Sequence, residues 1–313
     1  MIPILQRRLI LVVGKGGVGR STVAASIAAA TARAGRRTLL FEASANDRFG
    51  QFFDRPEVGP KITKLRDNLF AVNTTPDDAL EEYGMMILRF KRVYKLVFEN
   101  RITESFLKAI PGIEEYAVLG KAWYHTKETK SGSPVWDTVV FDMAASGHSL
   151  SMLRIPWAIA EAVPDGPLTR DARDVQKLLV DPERTGVVMV TLAEDMPSNE
   201  AIELTAKLKE HLAVDVDSLV VNQLYPDLFP EGSPQEQVLS SLARDGADGE
   251  LASITQAATL CESRRRLNEE HLDRLRSAIA LPQVHLPRLF VPMLGAAEID
   301  EFSRQLSQEL LPD

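Results

Sequence analysis

The chain has 313 residues, 45% of them hydrophobic, enough for one large α/β domain or two modest ones, and its formal net charge of −8 argues against a nucleic-acid partner. A single cysteine, Cys261, excludes an internal disulfide and any metal or iron–sulfur site built from the cysteines of one chain. No run of about eighteen apolar residues occurs, and the N-terminus leads straight into a strand pattern. A soluble, cytoplasmic protein that is not integral to a membrane is therefore expected.

Short β-branched runs alternate with helical patterns, which predicts an α/β fold with a mostly parallel sheet flanked by crossover helices. Strands are predicted at residues 9–13, 38–42, 69–73, 138–142, 187–191 and 219–222, several of them apolar throughout, as expected for strands covered on both faces. The first runs into Gly14-Lys15-Gly16-Gly17-Val18-Gly19-Arg20-Ser21-Thr22, and an alanine-rich helix is predicted over residues 21–34. From Pro76 to Lys127 the rhythm changes. Leu80, Tyr83, Ile87, Phe90, Tyr94 and Val97 fall at helical spacing, and Pro111-Gly112 punctuates two further helical segments, 103–110 and 113–125. Residues 76–127 are read as a helical insertion within a single domain spanning 1–313. It is either a capping layer on the core or a surface for a protein partner or hydrophobic client; Arg89, Lys91, Arg92, Lys95, Arg101 and Lys108 make it locally basic. Beyond the strand at 138–142 a helical run is broken at Pro156. Residues 224–258, rich in Pro, Gly, Ser and acids, predict a mobile connection with one short helix at 235–242. A charged helix at 261–278 and an amphipathic one at 296–311 complete the chain.

The loop after the first strand has a definite chemistry. Closely spaced glycines let consecutive backbone N–H groups point into one concavity, and the following helix turns its positive end toward phosphates. Ser21 supplies a hydroxyl suited to Mg²⁺. The general phosphate-loop pattern, G-x-x-x-x-G-K-[ST], wants lysine where this chain has Arg20. A second motif, Thr138-Val139-Val140-Phe141-Asp142, is an apolar strand ending in a carboxylate, the usual place for a Mg²⁺-linked aspartate in a nucleotide site.

At these residues the chain resembles a known family. Residues 14–19 look like the deviant Walker A loop of the arsenite-pump ATPase and of the ATPase that targets tail-anchored membrane proteins. Phe141-Asp142-Met143-Ala144-Ala145-Ser146-Gly147-His148-Ser149-Leu150 is similar to that family's switch II, F-D-T-A-P-T-G-H-T-L. Pro111-Gly112-Ile113-Glu114-Glu115, Val220-Val221-Asn222-Gln223, Arg264 with His271-Leu272-Asp273, and Leu286-Pro287 with Gly295 extend the likeness over nearly the whole chain, in order. The resemblance implies a P-loop NTPase that binds ATP or ADP with Mg²⁺. It implies that Lys15 reaches across a dimer interface to the partner's phosphates, with Lys15 and Arg20 at the catalytic positions. Gly14, Gly16, Gly17, Val18, Gly19, Arg20, Ser21 and Thr22 would form the phosphate site, and Ser21 and Asp142 would hold the metal. Asn222 would read the adenine edge, with Pro287 beside the base. The implied assembly is a homodimer, or a heterodimer with a paralogous ATPase, whose nucleotide state opens and closes the helical regions.

Four departures from the family pattern bear on function. Arg20 is a planar fork on a longer stem than lysine, so phosphate binding is expected to survive better than the positioning that phosphoryl transfer needs. An ungapped alignment places Ser44 where the family carries the aspartate that orients the attacking water; Glu42 or Asp47 could replace it only with a shifted backbone. Cys261 matches the second cysteine of the targeting ATPase's zinc motif, but Ala258 stands where the first would be, so no zinc bridge is expected. The insertion carries only Met85 and Met86, which weakens the case for a methionine-rich client groove. The reading is an ATPase with impaired hydrolysis or, alternatively, a non-hydrolysing regulatory subunit paired with an active paralogue.

Overall fold

The computed structural model of the chain describes residues 3–44, 47–88, 112–246 and 248–310; the side chains of 83–88 and 146 are not described. The predicted helix at 103–110, the stripe positions Phe90, Tyr94 and Val97, and the six basic residues of the insertion lie outside the described residues.

Eight strands form one sheet: β1 (Leu9–Gly14), β2 (Thr38–Glu42), β3 (Thr63–Arg66), β4 (Leu69–Asn73), β7 (Thr138–Asp142), β8 (Thr185–Leu192), β9 (Ser218–Leu224) and β10 (Gln283–Pro287). Their order is β10-β9-β8-β1-β7-β2-β4-β3, parallel except for the β3–β4 edge pair. β5 (Thr129–Lys130) and β6 (Ser133–Pro134) make a separate small hairpin.

Period-two alternation sorts each central strand between two cores. Leu9, Leu11 and Val13 join one apolar cluster while Ile10 and Val12 join the other; Val139 and Phe141 oppose Val140, and Val187 and Met189 oppose Val188 and Val190, in the same way. Both sides of these strands are apolar because helices cover both faces of the sheet. One face carries α1 (Arg20–Arg33), the short α2 (Phe49–Phe52) and α10 (Ala296–Leu310). The other carries α4 (Ile113–Lys127), α5 (Ser146–Ala162), α6 (Pro167–Leu179), α7 (Asp195–Leu212) and the end of α9 (Gly249–Ala278). α3 (Pro76–Leu88) leads toward the insertion. In α1 every residue from Thr22 to Ala32 is buried, so the alanine run serves close approach as well as helix propensity: short side chains let the helix lie against the sheet and be covered by α10.

Three expectations change. Residues 224–258 are not one loose connection: α8 (Pro234–Asp245) is capped by Ser233, whose hydroxyl accepts from Glu236 N, and α9 begins at Gly249, well before Cys261. The polar composition reflects exposure, since α8 buries none of its residues. α5 runs through Pro156, with the Pro156 carbonyl receiving the Gln176 side-chain amide at 2.9 Å. The edge strand β3 and the last strand β10 also escape the sequence pattern, one short and polar, the other interrupted by His285 and Pro287.

Candidate nucleotide site

β1 occupies the middle of the sheet. The chain leaves it toward β2 on one flank and later crosses from β7 to β8 on the other, so the loop after β1 opens at a point where the winding reverses. In open α/β sheets that crevice, beyond the carboxyl ends of the strands, is where ligands bind. A cavity of about 530 Å³ lies there, lined by Gly16, Gly17, Gly19, Arg20, Ser21 and Thr22 from the loop and α1, Glu42, Ala43, Ser44 and Arg48 from the β2 side, Asp142, Met143 and Ala144 after β7, and Gln223 after β9.

Two glycines shape the loop by what they exclude. A Cβ on Gly14 would stand 2.2 Å from the carbonyl oxygen of Val190, so β1 and β8 close together only with glycine there. Gly19 takes a φ of +90° with Asn222 Nδ2 packed where a side chain would begin, at 2.3 Å. Asn222 is 4% exposed; its Nδ2 donates to Val18 O at 2.9 Å and its Oδ1 accepts from Gln223 N at 2.9 Å. Its amide therefore ties β9 to the phosphate loop in this conformation. Val18 is buried in the core, and Pro287 closes β10 opposite Leu224; neither side chain lines the cavity.

The two cations of the loop face different ways. Lys15 Nζ donates to Glu200 Oε1 on α7 at 2.6 Å, away from the cavity lining. The Arg20 guanidinium is folded inward. Nη1 donates to Gly14 O at 2.9 Å and also to Lys15 O, and Nε donates to Met143 O at 3.1 Å. Burial lowers the Arg20 pKa from its ordinary value, and the nearby Asp142 opposes that drop. Among the described residues Nη2 makes no hydrogen bond, which leaves one edge of the fork for an anion.

Opposite the loop stand two carboxylates. Glu42 and Asp142 end neighbouring parallel strands and are paired in register. Desolvation raises the Asp142 carboxyl to about 6, against the pull of the Ser21 hydrogen bond and Arg20. Glu42 is raised to about 8 by burial and then by Asp142 and Asp47. Asp142 Oδ1 and Glu42 Oε2 are buried and accept no hydrogen bond from a described residue; Arg20 Nε stands 3.8 Å from the former. Buried acceptors left open in this way fit a hard cation, and Mg²⁺ is characteristically held by one or two carboxylates, a hydroxyl, water and phosphate. Ser21 and Asp142, the residues expected to hold the metal, lie together here, and Glu42 stands beside them.

The β2 side shows what Asp47 and Ser44 do and adds Arg48 to the cavity. Asp47 does not face a ligand: its carboxylate accepts from the backbone of Phe49, Gly50 and Val58, each at 2.9 Å. Ser44 N donates to Asn73 Oδ1 at 3.0 Å. Arg48 and Gln223 line the cavity; Gln223 belongs to the Val220–Gln223 match but was given no role there, and Arg48 sits in no motif. His148 is exposed and borders a different cavity, with Glu115, Arg154 and Trp157. No described helix is long and apolar enough to cross a membrane.

Comparison with known proteins agrees with this geometry. The family model for anion-transporting ATPases matches residues 7–164 and 167–238. The chain is 27% identical to the ATPase BagA of Mycobacterium tuberculosis (strain ATCC 25618 / H37Rv), over 96% of this chain and 93% of that protein. It is 24% identical to the ATPase GET3 of Candida glabrata, over 97% and 90% of the two chains, and 24% identical to the ATPase get3 of Neurospora crassa, over 97% and 92%. With a mostly parallel sheet, a glycine loop after its central strand and a carboxylate ending the next one, the chain belongs to the anion-transporting ATPase family of P-loop proteins.

Proposed function

We propose that this protein binds ATP with Mg²⁺ and uses the nucleotide state to switch a dimer that acts on a protein client or partner. The observation that carries the reading is the paired placement of loop glycines, Arg20 and Ser21 against Asp142 and Glu42, each of which keeps one buried oxygen, Oδ1 and Oε2, that accepts no hydrogen bond from a described residue. Ser21 and Asp142 would hold Mg²⁺, which when bound would neutralise charge on the phosphates. The glycine loop and the start of α1 orient the phosphates, the free edge of Arg20 adds a fixed positive charge, and the walls from β2 and β7 limit water. Lys15 would reach the partner's phosphates only after leaving Glu200. Asn222 would read adenine only if its amide turned from Val18, and Pro287 would lie beside the base. Residues 76–127 would be the helical insertion within one domain; its last helix, α4, packs on the sheet as a capping layer, so a client would be met by the part of the insertion that precedes it in the chain.

Hydrolysis is slow in this proposal, and a second reading, a nucleotide-binding subunit without turnover beside an active paralogue, has a specific basis. Arg20 is braced by three carbonyls, Asp47 spends its carboxylate on backbone amides, and Ser44 cannot polarise water as a carboxylate does. Thermal melts with millimolar ATP or ADP, with Mg²⁺ or with EDTA, test binding, because a ligand of the native state must raise the melting temperature. No shift with either nucleotide overturns the proposal. Phosphate release by the protein alone, at a rate typical of active ATPases, overturns the slow-hydrolysis part. Sedimentation in both nucleotide states tests the dimer.

A further inference from the structure

The sheet order gives the cavity a direction. The phosphate loop leaves the central β1; Asn222, Gln223 and Pro287 stand at the ends of β9 and β10 on one flank, and Asp142 and Glu42 end β7 and β2 on the other. A nucleotide laid across the loop with its base toward β9 and β10 points its last phosphate toward β7 and β2. From the chain just after β2, Arg48 lines the same cavity.

Its backbone is fixed. Asp47, immediately before it, binds three backbone amides, and Phe49, immediately after it, is fully buried. A Cβ on Gly50 would stand 2.5 Å from Pro56 O, so the chain is tightly folded there. The Arg48 side chain, by contrast, is exposed, lines the cavity, and makes no hydrogen bond or ion pair with a described residue. It lies near enough to bias the ionisation of Glu42, Asp142 and Arg20, yet closes on neither carboxylate. A guanidinium carries five donors in a planar fork that matches phosphate oxygens two at a time. On a fixed backbone, lining the same cavity as the glycine loop, such a group is disposed to meet an anion that enters there.

We infer that Arg48 binds the terminal phosphate of a nucleoside triphosphate, from the side opposite the glycine loop, and so lets the site distinguish triphosphate from diphosphate. Together with Arg20 it forms a two-arginine clamp, one fork beneath the phosphates and one beyond the last of them. The inference rests on the nucleotide reading above and adds a residue and a preference that the phosphate-loop motif does not contain.

The test is calorimetric titration of the full chain with Mg²⁺-ATP and Mg²⁺-ADP, for the wild type, Arg48→Ala and Arg48→Lys. Loss of a charge-assisted bidentate contact is expected to weaken ATP binding about tenfold or more in Arg48→Ala, with ADP changed less than about twofold. Arg48→Lys is expected to recover part of the ATP affinity through charge alone. Because the side chain is exposed and unpaired, both variants are expected to melt within about 2 °C of the wild type without nucleotide. Equal weakening for ATP and ADP, or unchanged ATP affinity, overturns the assignment of Arg48 while the nucleotide reading stands. Failure of the wild type to bind either nucleotide overturns both.

Discussion

After β1 the chain turns through residues 14–19, and what matters there is the absence of side chains: Gly14 admits the Val190 carbonyl and Gly19 admits the Asn222 amide. At the end of β2 and just beyond it, among the described residues, side chains do the shaping: Asp47 gathers three amides, while Glu42 and Arg48 line the cavity. The first loop is the common apparatus of phosphate binding, built from backbone and legible as a motif. The second matches no phosphate-loop motif, and in the proposal above it decides which phosphate is held.

That contrast can be broken experimentally. The largest expected effect is at the backbone-built loop. Gly14→Ala drives a Cβ into a backbone carbonyl of the adjacent strand, which can yield only by parting β1 from β8, at a cost of about 3 kcal/mol with loss of any nucleotide-induced stabilisation. Urea unfolding showing less than about 1 kcal/mol would mean that β8 yields freely and that close approach does not shape the loop.

Asp47→Ala comes next. Three amides lose their acceptor, and about 2 kcal/mol of stability should go with them, since each unmade buried bond costs more than a made one contributes. ATP affinity should fall as well, because Arg48 loses its fixed backbone. Stability lost with ATP affinity retained would separate Asp47 from the cavity.

Glu42→Gln is expected to stabilise the metal-free, nucleotide-free protein. The folded-state pKa of Glu42 is raised to about 8 from an ordinary 4.5, so the folded chain binds more protons than the unfolded one between those values. Stability then falls as pH rises from about 4.5 through about 8, and the full penalty stands above that range. Glutamine cannot ionise and escapes it. The variant should melt several degrees higher than the wild type at pH 8 and nearly level with it at pH 4.5. A pH-independent difference would assign the effect to packing.

The smallest effect concerns Lys15. Its pairing with Glu200 is partly exposed, 26% and 33% for the two side chains, and such pairs contribute about 0–1 kcal/mol. Glu200→Gln should leave the monomer's stability within that range in a urea titration. A larger loss would make Lys15 a structural residue of the chain and weaken its proposed reach to a partner.

The order of the central strands' residues, the loop and its following helix could be read from sequence because each depends on local spacing: period two for a strand, clustered glycines for a phosphate loop, alanine for a helix packed close to a sheet. α9 could not be placed correctly: the Pro, Gly and acidic residues before it suggested a connection running on to residue 258, although its first turns carry Leu251, Ile254 and Leu260, which the fold leaves exposed. Asn222 illustrates the same limit in the site. Its position after an apolar strand was readable, but its bond to Val18 O joins residues 204 apart, which no local pattern encodes.

By itself the sequence determined that this protein has the glycine-rich loop of a P-loop fold after its first strand, and that an arginine and a serine stand where the motif and the family resemblance lead one to expect lysine and aspartate. Those are properties of residue identity at fixed spacing. Only the tertiary structure decided that Arg20 braces the loop carbonyls, that Asp47 is spent on the backbone, and that Glu42 and Arg48 line the cavity beside the glycine loop. The reason is physical: hydrogen-bond partners and burial are set by strands brought side by side, and the sheet order that joins β1, β7 and β2 appears nowhere in the linear chain.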